Sequence, residues 1–417
     1  MAILIKNTRK DNFSAWYTDV ILASKLISYS SVKGCINFLP NGWKIWTNIQ
    51  KILDNDLSNT SVNNVQLPLF IRLSDFAKEK EHVEGFAPEV YIVNQRGNEK
   101  LEDPLVVRPT SEVLFSQVFK EEVVSYKDLP LKFNQWCSVY RAEKNSRPFL
   151  RGCEFFWQEL HAIFENQEQT EKYVYDILKL YVNFFEKILC LPVIFGKKTE
   201  GEKFAGAVFT TTCEVYTQEA IAIQAATSHY LGTNFSDMYE LSFQDKNNQF
   251  SKPHYMSAGS STRMIGCLIA CHADEKGLVL PFDIAINQIS VIPLLFDKES
   301  DKNVLAYVEK INAILKKYTV SCDKTFNSMG EKLTNWEISG NPFAIVVGTK
   351  DIEKDVITFY RRDTMEKQII NLDELSKKID VLCKEYNKNL YDKAKKKLDE
   401  LIIEVDNLDD FKKNIDS

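Results

Sequence analysis

Between residues 134 and 164 the chain reads NQWCSVYRAEKNSRPFLRGCEFFWQELHAIF, two strand-like stretches around a charged middle, and few folds accommodate that pattern. Successive side chains on a strand point to opposite faces. On that rule Phe155, Trp157, Glu159 and His161 share one face of the second stretch, and Arg141 and Glu143 are expected to share a face of the first. The loop between them carries Arg147 and Arg151. A strand–loop–strand unit that offers guanidinium forks, a carboxylate and an aromatic face suits a nucleoside triphosphate: the forks take phosphate oxygens and a ring stacks on the base. The same residues also fit a half-buried hairpin whose arginines pair with surface acids.

The neighbouring sequence supplies a sheet for this hairpin to join. LPLFIRL, VFTTTCEVY and LVLPF are rich in β-branched and aromatic residues, and too little sequence separates them for βαβ crossovers. A mostly antiparallel sheet with flanking helices is therefore expected, an α+β fold. Residues 14–60 alternate apolar clusters with few breakers, and DFAKEKEHVEGFAPEVYIV (75–93) reads as an amphipathic helix passing through a turn into a strand. Over 170–190, Val174, Ile177, Leu178, Tyr181 and Phe185 recur at helical spacing behind an acidic first turn. After Phe282 strand and helix signals alternate from QISVIPLLF to ELSKKIDVLCKEYNKNLYDKAKKKLDELI, so a separate α/β domain is expected from about residue 286. The stretch 399–417 holds seven acids against two lysines and reads as a helix end or frayed tail.

Charge narrows the function. Fifty-two lysines and arginines face 58 acids, a net charge of -6 over 417 residues. Any nucleic acid must meet a local basic patch, and a general DNA-coating role is excluded. MAILIKNTRKDNFSAWY meets charge within six residues, and no later stretch approaches ~18 uncharged apolar residues. A soluble, cytoplasmic protein without a membrane partner is expected. The nine cysteines lack a framework of short spacings and read as reduced, mostly buried thiols. Cys267, Cys271 and His272 come nearest to a ligand cluster, but cysteines at i and i+4 in GCLIACH mark the core face of a helix more often than a metal site.

With these residues in view, the chain resembles the class II aminoacyl-tRNA synthetases, and among them the prolyl-tRNA synthetases of archaeal and eukaryotic type. VRPTSE (107–112), NQW with Arg141 and Glu143, RPFLR (147–151), EFFWQE with His161, KTEGEKFAGAVFTTTCE (198–214), QAATSHYLGTNF (224–235) and GLVLP (277–281) occur in the family's order. LPLF with Pro68 resembles motif 1 (66–72), 134–164 resembles motif 2, and STRMIG within 257–281 resembles motif 3. The resemblance implies a catalytic domain over 1–285 and an anticodon-binding domain over 286–417. It implies ATP-dependent ligation of L-proline to tRNA(Pro) through prolyl-adenylate by a homodimer, with Mg2+ on the phosphates. Arg141 would hold the α-phosphate and the proline carboxylate, and Arg151 and Arg263 the outer phosphates. Glu143 and Phe155 would read and stack the adenine, with Gln224 and Ser261 along the nucleotide. Thr110 and Glu112 match the ammonium-binding loop, and Trp157, Glu159, His161, Phe204, Thr227, His229, Ser257 and Gly259 the remaining proline pocket.

Several positions depart from the family. Its usual RTRE is here Arg151, Gly152, Cys153 and Glu154; the tryptophan before the motif 3 glycine is Ala258; the glycine after the motif 3 histidine is Ala273; and GWKF is Gly330, Glu331, Lys332 and Leu333. The chain stops before the extension in which relatives often carry zinc cysteines, so no zinc is expected. The interval 165–255 is too short for an inserted editing domain. Two further readings share the motif set: a class II ligase for another amino acid, such as threonine or glycine, and a catalytically silent paralogue that binds tRNA or a partner protein.

Overall fold

The computed structural model describes residues 5–82, 90–296 and 298–415. Its centre is a seven-stranded sheet in the order Asn63–Asn64, Leu131–Tyr140, Glu154–Phe164, His254–Ser261, Ala222–Gly232, Phe209–Tyr216 and Ile194–Lys197. Every neighbouring pair is antiparallel except the first. The register decides what the sheet presents. Gln135 opposes Glu159, Glu159 opposes Gly259, and Gly259 opposes Thr227. One pleat further, Phe133, His161, Ser257, His229 and Thr210 form the next row. Because the side-chain period is two, both rows lie on one face.

The intervening residues turn the other way, onto the Gln167–Lys187 helix. Its Val174, Ile177, Leu178, Tyr181, Phe184 and Phe185 are buried with Leu160, Ala162, Met256 and Ala258. Ser228 Oγ donates to the Val174 carbonyl at 3.0 Å and Tyr181 Oη to Gln158 Oε1 at 2.7 Å. The departure at Ala258 thus falls on the core side of the sheet, between Leu160 and Ser228. Ala273, where relatives have glycine, ends its helix with φ −62° and ψ 154°, a conformation that any residue adopts.

A smaller antiparallel sheet joins Phe70–Arg72, Glu99–Val107 and Ile92–Arg96. From LPLFIRL only Phe70–Arg72 is strand, since Leu73 already opens the Leu73–His82 helix. Pro68 precedes the ladder, and its carbonyl accepts from Arg108 Nη1 at 2.9 Å. The expected turn between that helix and the Ile92–Arg96 strand falls at 83–89, outside the described residues.

Two expectations are corrected. LVLPF forms no strand: Leu278 N–H and Leu280 N–H donate to the carbonyls of Ile338 and Gly340 (both 3.2 Å), so its backbone is satisfied across to another helix end rather than in a ladder. Arg141 and Glu143 lie beyond the Leu131–Tyr140 strand, in the loop that ends at the Glu154–Phe164 strand.

The C-terminal part holds a five-stranded sheet in the order Val320–Cys322, Ile289–Pro293, Phe343–Val347, Val356–Arg361 and Lys367–Asn371, the first three parallel. It packs with the Asp301–Ile314 and Leu375–Leu401 helices around a core separate from that of the first sheet. Buried Arg362 bridges the two parts, donating from Nη1 and Nη2 to both Asp274 carboxylate oxygens at 2.8 and 2.6 Å. The acidic tail continues the long helix to Leu401 and forms a short Leu408–Ile415 helix. No helix among the described residues is long and apolar enough to cross a membrane.

Candidate active site

The sheet face carrying Glu159 and His161 floors a cavity of about 280 Å³. Of the seventeen residues singled out from the sequence, all line it except Glu143 and Arg151. Four antiparallel strands supply the floor, and the loops around Thr110 and Phe204 supply the walls.

One end is a buried acid network. Glu112 opens the Glu112–Glu122 helix, where the positive end of the helix dipole favours a carboxylate. Thr110 Oγ1 donates to its Oε2 at 2.5 Å and Ser111 N–H at 3.3 Å. Burial nevertheless raises its pKa above the usual value, against the pull of His161 and Thr110. Glu159 is better supplied with donors: Ser111 Oγ, Gln135 Nε2 at 2.5 Å and Cys137 Sγ at 3.4 Å reach Oε1, and His161 Nε2 lies 3.3 Å from Oε2. The His161 ring stacks on Phe115 at 4.0 Å, and its Nδ1 lies 3.0 Å from Tyr255 Oη. Two carboxylates therefore face one small space, an arrangement that suits a cation.

Beside the acids lies an apolar, rigid wall. Trp157 Nε1 donates to Cys137 Sγ at 3.2 Å, which fixes the indole. Phe204 packs on the His229 ring at 4.8 Å, and Thr210 Oγ1 lies 2.9 Å from His229 Nδ1. Gly259 keeps the floor low, since a Cβ there would sit 3.1 Å from the Gln158 carbonyl and 3.5 Å from the Trp157 ring.

The opposite end is cationic. The Arg141 guanidinium lies 5.2 Å from the Phe155 ring and 5.8 Å from Trp157, with Nε donating to the Pro109 carbonyl at 3.2 Å. Arg263 begins the Arg263–His272 helix and donates to the carbonyls of Leu150 (3.1 Å) and Gln224 (2.9 Å). Burial lowers the pKa of both arginines, and Arg263 pushes Arg141 further down. Two desolvated guanidiniums and a helix N-terminus thus converge on one end of the cavity, where an anion would relieve their repulsion. Arg151 and Glu143 lie outside the cavity and pair with each other at 2.8 Å, with Arg151 largely exposed.

Lys198, Glu202 and Thr210 also line the cavity, and Ser111, Gln135 and Tyr255 hold its acids; none of the six is among the residues expected from sequence. Ser111 and Gln135 stood inside quoted motifs. Only the register, which sets Gln135 opposite Glu159, reveals its task. Cys267, Cys271 and His272 sit on the core helix behind the site. Burial pushes the Cys271 thiol up to about 12 and the His272 ring down to about 4, and the ring's Nε2 lies 3.0 Å from the Leu189 carbonyl. Among the described residues no group of three or more His, Cys, Asp or Glu side chains is placed to hold a metal.

Burial likewise lowers His229 to about 3, with His161 and Lys198 acting in the same direction. An unfolded histidine protonates near 6.5. Between the folded and unfolded values the unfolded chain binds more protons, so stability falls as pH drops. Urea unfolding is expected to show a loss of about 2 kcal/mol for each of His229 and His272 between about pH 7 and about pH 5. A flat profile over that window contradicts the burial of two neutral rings.

Comparison with known proteins places this geometry. Residues 91–272 match the family profile described as tRNA synthetase class II core domain (G, H, P, S and T), and residues 288–382 match the anticodon binding domain. The chain is 46% identical over 408 residues to a proline–tRNA ligase of Ureaplasma urealyticum, covering 98% of this chain and 86% of that protein. It is 45% identical to proline–tRNA ligase 2 of Bacillus anthracis, covering 98% and 80%. Among solved structures it resembles the Cryptosporidium parvum prolyl-tRNA synthetase complexed with halofuginone and AMPPNP (TM-score 0.92, 38% identity, covering 98% of this chain and 85% of that one). The same enzyme complexed with L-proline and AMP gives TM-score 0.92 at 36% identity, covering 98% and 83%.

Proposed function

We infer the working of the cavity from one premise: the chain belongs to the proline–tRNA ligases, class II aminoacyl-tRNA synthetases that use ATP to charge tRNA with proline. In the first step the proline carboxylate attacks the α-phosphorus of ATP and pyrophosphate leaves, giving prolyl-adenylate. In the second a ribose hydroxyl of tRNA(Pro) attacks the prolyl carbonyl carbon and AMP leaves. No side-chain nucleophile is needed, so catalysis consists of positioning and charge stabilisation.

The observation that carries the assignment of roles is the polarity of the cavity, with acids at one end, two desolvated arginines at the other and a rigid aromatic wall between. Proline as a zwitterion is polarised in the same sense. Its secondary ammonium meets Thr110 and Glu112, with Glu159 and His161 behind them. Its ring lies against Trp157 and Phe204, over the floor of Thr227, His229, Ser257 and Gly259, and its carboxylate points to Arg141. Arg141 also grips the α-phosphate. Arg263, at a helix N-terminus, and Arg151 take the outer phosphates, Phe155 stacks on the adenine, and Gln224 and Ser261 lie along the nucleotide. Glu143 reaches the adenine edge once ATP draws Arg151 away from it.

Mg2+ is the cation expected on the phosphates. The oxygen donors lining the cavity include Glu202, and a hard cation that keeps most of its ligands as phosphate oxygens and water needs little more from the protein. When bound it neutralises phosphate charge. We assign residues 1–285 to catalysis and 286–417 to the anticodon, and the cytoplasm as the compartment. The pairing surface is the three-stranded sheet around motif 1, where Leu69, Phe70, Tyr91 and Ile92 are exposed. Light scattering is expected to report about twice the chain mass of 48.1 kDa; a fully active monomer contradicts that surface. Proline-dependent exchange of pyrophosphate into ATP tests the function itself, and exchange driven by another amino acid but not by proline overturns it.

A further inference from the structure

Two cysteines on different elements meet beside the nucleotide end of the cavity. Cys35 ends the turn between the Ile27–Tyr29 and Ile36–Phe38 strands, and Cys153 ends the loop that carries Arg151. Cys153 N–H donates to the Gly34 carbonyl at 2.8 Å. The turn at Gly34 and Cys35 therefore runs directly against the chain at Cys153 and Glu154. The Cys153 sulfur packs on Gly34, which has φ +84° and where a Cβ would lie 2.4 Å from Sγ, and it also meets the Tyr91 hydroxyl. The Cys35 thiol is close enough to take a hydrogen bond from the Glu154 N–H, at the peptide that follows Cys153. Both thiols are free, Cys153 buried and Cys35 partly exposed.

We propose that Cys35 and Cys153 form a reversible disulfide through which a hydroperoxide weakens ATP binding. This rests on the nucleotide roles given above to Arg141, Glu143 and Arg151. The more accessible Cys35 attacks a peroxide oxygen, the O–O bond breaks, and the proton lost from sulfur leaves with the departing oxygen as water or an alcohol. The resulting sulfenic acid is attacked by Cys153, the S–S bond forms, the S–O bond breaks and water leaves. The sulfurs together lose two electrons and the peroxide gains two; a dithiol reverses the step. Burial, Glu154 and Cys153 all hold the Cys35 thiol up, so the reaction is slow near neutral pH and quickens as pH rises.

The consequence follows from what Cys153 holds. Its carbonyl accepts from Arg141 N–H at 2.8 Å, and its sulfur lies 3.5 Å from the Glu143 carbonyl, whose side chain holds Arg151 at 2.8 Å. Turning the sulfur to Cys35 removes it from Glu143 and shifts the peptide that sets Arg141. The intact protein, treated with hydrogen peroxide and then capped with N-ethylmaleimide, is expected to yield on digestion a peptide pair joined at 35 and 153 and lighter by two hydrogens. The KM for ATP in exchange is expected to rise roughly three- to tenfold, with dithiothreitol restoring it, and calorimetric ATP binding reads the same change without turnover. Cys35→Ser keeps the reduced KM and loses the response. Uncrosslinked 35 and 153 after peroxide, or a crosslink that leaves both KM and ATP binding unchanged, overturns the proposal. Absence of exchange in the reduced protein counts against the ligase reading instead, since the crosslink is read by mass.

Discussion

Arg141→Ala is expected to lower proline-dependent exchange by a hundredfold to a thousandfold, about 2.7–4 kcal/mol, mostly in kcat. The negative charge spreading over the α-phosphate and the incoming carboxylate has this guanidinium between them, in a site where burial already makes the charge expensive to hold. On the roles proposed above, Arg263 and Arg151 serve the outer phosphates and leave these oxygens to Arg141. Arg141→Lys should recover little, because an ammonium cannot fork across two groups. Among the described residues the Arg141 side chain makes one hydrogen bond, to the Pro109 carbonyl, and lies over the Phe155 and Trp157 rings. A melting temperature close to that of the parent shows that the lost activity is not unfolding. A loss below roughly tenfold, about 1.4 kcal/mol, contradicts the role.

The largest structural effect is expected at Gly340. This residue ends the Met329–Ser339 helix in a left-handed conformation, φ +67°, and a Cβ would lie 2.4 Å from Leu278 Cβ and 2.5 Å from its carbonyl carbon. The neighbour is backbone as well as side chain, so it cannot step aside. Gly340→Val combines left-handed strain for a branched residue with overpacking, about 3–5 kcal/mol in all. It also breaks the seam where the Leu280 N–H meets the Gly340 carbonyl. Calorimetry is expected to show the first transition lowered by on the order of 10 °C. Gly330→Ala serves as the control, because nothing lies within 4 Å of a Cβ there. Equal effects at the two glycines would contradict the argument.

The pocket was legible where alternation is strong and hidden where it is weak. Phe155, Trp157, Glu159 and His161 announce a shared face by period alone, and the structure keeps them on one strand. The strands that complete the floor, Ala222–Gly232 and His254–Ser261, are built from alanine, serine and glycine as much as from β-formers. Their strand state comes from burial between neighbours, which local propensity does not record. Resemblance to a family brought Thr227, His229, Ser257 and Gly259 into the site, whereas periodicity did not. Arg141 was misplaced by one rule: alternation was carried past Tyr140, yet its N–H instead bonds the Cys153 carbonyl at the mouth of the loop. LVLPF carries every local mark of a strand and has none, because its partners are a helix end some 60 residues on.

The central claim is that one cavity holds prolyl-adenylate, with the ammonium among acids and the phosphate between arginines. A crystal of the protein soaked with a non-hydrolysable prolyl-adenylate analogue tests it most directly. Density is expected with the pyrrolidine ring against Trp157 and Phe204, its nitrogen bonded to Thr110 and Glu112, the phosphate-like group on Arg141 and the adenine stacked on Phe155. Density in another cavity, or the ligand reversed so that its adenine meets Glu112, would contradict the account.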